Sequence, residues 1–138
     1  MAASWDGFEE GDDLPELVKT PGVADLVKYA AGSGDFNPLH YDYASPHAKQ
    51  IGTIIVHGRF KYALLGQLLS DWLGHQARIE KIACQYRGMD LPDQPMTARG
   101  RVSAKWEQDG ERRAEIEVWV ENAEGKKTTP GSAVVVFD

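Results

Sequence analysis

The chain has 138 residues, 42% of them hydrophobic, and a formal net charge of −6. That length and apolar content suit one domain, residues 1–138, with a substantial core. The acidic balance and the lack of any basic run argue against a general nucleic-acid binder.

Residues 1–13 are acidic and glycine-containing, so the first few are expected to be mobile, and no basic segment followed by an apolar signal core stands there. No apolar run approaches membrane-spanning length, and a soluble cytoplasmic protein is the default expectation. Leu14 to Lys19 reads as a short strand. Pro21 to Ala31 reads as a short helix with Val23, Leu26, Val27, Ala30 and Ala31 on one stripe. Thr20 is the natural N-cap and Pro21 suits the first helical position. Gly32 and Gly34 offer left-handed exits from that helix.

The next stretch, Ser33-Gly34-Asp35-Phe36-Asn37-Pro38-Leu39-His40, places a carboxylate and an imidazole five residues apart around a turn. Asp35 follows the C-terminus of that helix. Pro38 pushes Asn37 towards an extended conformation, so the chain turns and both side chains can reach one pocket. By itself Gly-Asp-x-Asn-Pro is also ordinary turn chemistry.

Tyr41 to Gln50 reads as a loop or broken helix, and Thr53 to Val56 as extended. The spacing then predicts a long helix from Gly58 to about Leu73. Phe60, Leu64, Leu65, Leu68, Leu69, Trp72 and Leu73 cover a face too wide for a lightly docked helix, which points to burial in the curve of a sheet. Gly66 suggests close backbone approach, and Gly74 a terminator. Ile79 to Arg87 forms a strand before the Pro92/Pro95 loop. Alternation around Val102, Ala104 and Trp106, then through Ala114, Ile116, Val118 and Val120, marks two strands joined at Asp109-Gly110. Their basic and acidic outward faces can pair. Ala133 to Phe137 is the last strand. Helix followed by strands makes an α+β antiparallel sheet around a helix.

The segment from Tyr29 through His40 to Ala44, with Ile55-Val56-His57-Gly58 and the helix behind it, resembles the hydratase motif of MaoC-like, (R)-specific enoyl-CoA hydratases and dehydratases. Arg59 departs from it, standing where that family commonly has methionine. The resemblance implies a hot-dog fold, an antiparallel sheet wrapped around a long central helix. It also implies water addition to a trans-2-enoyl thioester giving an (R)-3-hydroxyacyl thioester, or the reverse. Asp35 and His40 would then be the acid–base pair, and the Gly58 N–H the donor to the thioester carbonyl. Asn37 would shape the loop and help position substrate. His57 would cap or position the helix start. Coenzyme A or an acyl carrier is implied as substrate carrier, with no separate cofactor. A homodimer or higher homo-oligomer is implied, a paralogous hot-dog partner being the alternative.

Other readings stay open on the residues alone. Asp35 and His40 could be metal ligands, but no third or fourth ligand accompanies them in the sequence, so no metal is expected. The same fold could hydrolyse acyl thioesters, or bind an acyl chain as a non-catalytic subunit. Arg59, Lys61, Lys81 and Arg87 are either phosphate contacts or ordinary solvated charges. His47 and His75 are incidental. The single Cys84 cannot form an intramolecular disulfide and reads as a packed thiol.

Overall fold

The computed structural model describes residues 2–138; Met1, the first of the residues expected to be mobile, lies outside them. The chain runs through β1 (Leu17–Lys19), α1 (Val23–Ser33), α2 (Pro46–Ile51) and α3 (Gly58–Leu73). Four longer strands follow: β2 (Ala77–Cys84), β3 (Met96–Gln108), β4 (Glu111–Glu121) and β5 (Lys127–Phe137). All five strands form one antiparallel sheet in the order β1-β3-β4-β5-β2. The sheet curls around α3, as the broad apolar face of that helix foretells, in the hot-dog fold that the family resemblance implies.

Alternation in β4 turns Ala114, Ile116, Val118 and Val120 onto the helix, where they meet Leu64, Leu65, Leu68, Leu69 and Leu73 in a shared core. Asp109 and Gly110 both take positive φ, 55° and 79°, which matches the twist of a two-residue hairpin between β3 and β4. Outward charges pair less simply than direct cross-strand opposition. Arg99 reaches Glu121 and Glu16, while Arg101 turns to Asp13 instead of its register partner Glu117.

Several local expectations are corrected. The N-cap of α1 is Gly22, not Thr20, because Asp25 reaches back to accept from the Gly22 N–H at 2.9 Å. Gly34, at φ 77°, ends α1, and Gly32 remains inside it. Val27 and Ala31 face out, leaving Leu26 and Ala30 as the buried stripe. Segment 53–56 is extended but joins no sheet. It is held instead by Ile55 N–H to Leu39 O and Val56 N–H to Asp90 O. A Cβ at Gly66 would meet nothing within 4 Å, so that glycine marks open space and not close approach.

The last strand starts at Lys127, six residues before the expected Ala133. Pro130 and Gly131 hide it in the sequence. Pro130 lies just past the last β2–β5 pair, Cys84–Gly131, where the ladder no longer calls for its missing N–H, its carbonyl accepts from the Gln85 N–H, and a Cβ at Gly131 would run into Ala83 O. The N-terminal arm also packs closely. Ala3, Phe8 and Leu14 are buried, and Phe8 meets Trp72 and Phe137 with ring centroids 5.1 and 5.4 Å apart. Lys105 fastens the arm by donating to the carbonyls of Trp5 and Phe8 at 2.8 and 2.7 Å. Those apolar anchors outweigh the acidic composition from which mobility was expected.

Candidate active site

Loop 34–40 is shaped by its own side chains. Ser33 Oγ donates to Tyr29 O at 2.7 Å, and the Asp35 N–H donates back to Ser33 Oγ at 3.2 Å. Asn37 Oδ1 accepts from the Leu39 N–H at 3.1 Å, capping a 3-10 turn over Pro38–His40. That bond gives Asn37, itself exposed, a part in shaping the turn. The Tyr41 hydroxyl closes the loop by donating to Phe36 O at 2.7 Å.

This turn brings Asp35 and His40 together. His40 is buried, and its Nδ1 lies 2.9 Å from Ile55 O. A carbonyl can only accept, so Nδ1 carries a proton, and in the neutral ring Nε2 is the nitrogen with the lone pair. That Nε2 stands 3.9 Å from Asp35 Oδ2. The separation is too long for a direct hydrogen bond and lets both groups share one bridging water. The side chain of Asp35 is about a third exposed, leaving that meeting point open to solvent.

His57 forms the third corner. It is fully buried at the N-cap of α3, but its side chain makes no cap bond, which corrects the capping half of the expectation. Instead Nε2 donates to Asp35 O at 3.2 Å, pinning the acid's backbone. The rings of His57 and His40 stack with centroids 3.9 Å apart and planes 24° from parallel. Burial first, and then the neighbouring His40, push the His57 pKa down, so it stays neutral beside its partner.

Asp35, His40 and His57 each offer a ligand atom within 4.8 Å of the others, so a third metal-type ligand does exist, contrary to expectation. The donor set is nevertheless poorly shaped for an ion. Imidazole lone pairs lie in their ring planes, and two planes so nearly parallel meet only far beyond bonding distance. Each ring commits one nitrogen to a carbonyl, which leaves only His40 Nε2 and His57 Nδ1, on stacked rings, to face an ion. The cluster fits proton chemistry better than coordination.

Gly58 is the first residue of α3, so its N–H is among the first-turn donors that have no acceptor inside the helix. It lines a cavity of about 420 Å³ with His40, Ile55, Val56, Tyr86 and Met89. A Cβ at Gly58 would come within 3.1 Å of the Tyr86 ring, so the glycine lets that ring lie close against the helix start. A larger hollow of about 650 Å³ runs beside α1, with Lys19, Lys28, Tyr29 and Phe60 in its lining. It touches none of the proton-transfer groups, yet Tyr29 connects it to the site through an edge contact with His57 at 5.0 Å.

Lys61 is the main correction among the expected surface cations. It is buried, donating to Gly88 O and Asp90 Oδ2, each at 2.9 Å. Its stem leaves α3 on the core face, where an unpaired charge would be costly, and Asp90 neutralises it there. Arg59, Lys81 and Arg87 are exposed, and Arg87 lines the smaller cavity. His47 and His75 are exposed away from the cluster. Cys84 is half-buried, and burial pushes its thiol pKa up, as befits a packed thiol. Tyr86 and Asp90 escaped the sequence reading, and Tyr29 entered it only as the start of the motif, since no local pattern marks a tyrosine or aspartate that a distant segment brings to a pocket.

Residues 12–126 match the family model described as "MaoC like domain". The chain belongs to the MaoC-like domain family. A curated relative, the (R)-specific enoyl-CoA hydratase of Aeromonas caviae, is 43% identical over 60 residues, which is 44% of this chain and 42% of that protein's length. The solved (R)-hydratase from A. caviae involved in PHA biosynthesis superposes with a TM-score of 0.79 at 26% identity, over 93% of this chain and 96% of that one. The unliganded R-hydratase PhaJ1 from Pseudomonas aeruginosa superposes with a TM-score of 0.86 at 24% identity, over 96% and 83% of the two chains, a likeness of fold.

Proposed function

We propose that this MaoC-like protein adds water to a trans-2-enoyl thioester, giving an (R)-3-hydroxyacyl thioester, or runs the reverse dehydration. The observation that carries the reading is the state of His40. Its Nδ1 is occupied by Ile55 O, its Nε2 lies 3.9 Å from Asp35 Oδ2, close enough for one water to bond both from the side, and His40 lines a cavity. The thioester would be carried by coenzyme A or an acyl carrier.

In hydration, the Asp35–His40 pair binds one water and removes a proton from it. The water oxygen bonds to the β-carbon, the double-bond electrons move towards the carbonyl, and an enolate forms. The Gly58 N–H, at the positive end of α3, holds the enolate oxygen. The pair then returns a proton to the α-carbon, so the sum is the addition of one water. The thioester itself acidifies the α-position, and the two side chains act as a unit in the transfer. His57 keeps the Asp35 backbone in place and stays neutral.

The strand order leaves β2 at a sheet edge, and Phe36, Tyr86 and Met89 are large apolar side chains exposed around the loop and cavity. A homodimer that covers them completes this reading, and sedimentation of the purified chain measures it.

The experiment is substitution of the pair. Asp35→Asn and His40→Ala should each lower the hydration rate at least about 100-fold with the fold intact, in keeping with general acid–base contributions. Near-wild-type turnover in either folded variant removes that residue from the chemical step.

A further inference from the structure

The peptide group joining Ile55 to Val56 is bonded at both ends. Its carbonyl, on Ile55, accepts from His40 Nδ1 at 2.9 Å. Its N–H, on Val56, donates to the backbone carbonyl of Asp90 at 2.8 Å. A single planar unit thus connects Asp90 to the histidine, and donation at one end makes the other a better acceptor.

The Asp90 side chain is fixed as firmly as its backbone. Oδ2 accepts from Lys61 Nζ at 2.9 Å and from Thr128 Oγ1 at 2.5 Å. Lys61 lies on α3 three residues after Gly58 and also holds Gly88 O, while Thr128 O accepts from the N–H groups of Arg87 and Gly88. Asp90 therefore ties three pieces to one another: the helix that presents Gly58, the cavity wall at 87–88, and the peptide that orients His40. The arrangement is not a source of stability. Asp90 Oδ1 is buried with no partner among the described residues, and buried ion pairs are commonly replaced by apolar side chains at no loss. What the pair supplies is geometry.

We propose that Asp90, held by Lys61 and Thr128, is a positioning residue that locks His40 in its Nδ1–H tautomer and sets its Nε2 relative to the Gly58 N–H. The proposal rests on the hydratase reading for its kinetic consequence but not for its structural one.

The test is the charge-free replacement Lys61→Met/Asp90→Leu, which leaves no unpaired ion behind. Nitrogen-15 NMR of the histidine rings should show wild-type His40 as a single Nδ1–H tautomer and the double variant as a mixture. Turnover should fall about 10- to 100-fold with KM nearly unchanged, the signature of a displaced reacting group. A folded double variant with the wild-type ring spectrum and wild-type kcat overturns the proposal. If that variant does not fold, Thr128→Val removes one support while keeping the ion pair. The same spectral change in smaller degree supports the proposal, and an unchanged spectrum overturns it. Should the wild-type protein hydrate no enoyl thioester, the proposed function fails, and the NMR comparison still decides the role of Asp90.

Discussion

Gly58→Val separates the proposed chemistry from the packing of the helix start. Position 58 begins α3, and a Cβ there would lie 3.1 Å from two carbons of the Tyr86 ring and 3.2 Å from a third. Such contacts require the ring to yield by a few tenths of an ångström. Tyr86 is half exposed and can do so. Valine's two extra methyl groups push it further, uncovering roughly 40 Å² of apolar surface at a cost of about 1 kcal/mol. Against this, replacing glycine in a helix recovers about 0.3 kcal/mol of propensity. Net stability should therefore fall by less than about 1 kcal/mol, a shift of a few degrees in Tm for a chain of this length. The effect on turnover should be much larger. A branched side chain crowds the approach to the Gly58 N–H, and losing one donor to a developing oxyanion costs about 100- to 1,000-fold in rate. Differential scanning calorimetry and steady-state hydration of a 2-enoyl-CoA measure the two effects on one preparation. Hydration within a few-fold of wild type in Gly58→Val would refute the oxyanion assignment.

Three further outcomes follow from the packing and the buried charges. Lys61→Ala leaves the Asp90 carboxylate buried without its cation and should destabilise by about 3–5 kcal/mol, while Lys61→Met/Asp90→Leu should stay within about 1 kcal/mol of wild type; equal urea midpoints for Lys61→Ala and wild type contradict the buried pair. Leu68→Ala should cost about 3–5 kcal/mol, and the half-buried Trp72→Ala about 2–3 kcal/mol, in denaturant unfolding; unchanged midpoints in both would mean that α3 is not the core helix. The pKa of buried His57 is held below its unfolded value of about 6.5, so the unfolded chain takes up this proton first. Stability should be full above that pH and decline as pH falls below it, until folded His57 also protonates. His57→Phe should flatten the decline between pH 7 and 5.5, and equal slopes in the two proteins would contradict it.

The features legible in the sequence are those encoded by local periodicity or local turn chemistry. The wide apolar face of Gly58–Leu73, the alternation of β4 and the Asp109-Gly110 hairpin each carry their own pattern and appear where expected. So does the meeting of Asp35 and His40, because Gly34, Asn37 and Pro38 shape that loop from within. What stayed hidden depends on distant partners. Lys61 reads as a surface charge until Asp90, 29 residues away, is placed beside it. The first half of β5 is masked by Pro130 and Gly131, whose tolerance depends on where β2 ends. His57 looks like a helix cap, and only the fold shows it stacked on His40 and bonded to Asp35. The acidic N-terminal arm is ordered by Trp72, Lys105 and Phe137, none of them near it in sequence.

Chiral product analysis tests the central claim most directly. Purified protein would be incubated with trans-2-enoyl-CoAs of increasing acyl length, and both the 3-hydroxyacyl-CoA enantiomers and free thiol would be quantified. The account predicts (R)-3-hydroxyacyl-CoA from at least one substrate, no release of thiol, and loss of the product with Asp35→Asn or His40→Ala. Free thiol without a hydroxyacyl product, or a hydroxyacyl product that survives both substitutions in folded protein, would contradict it.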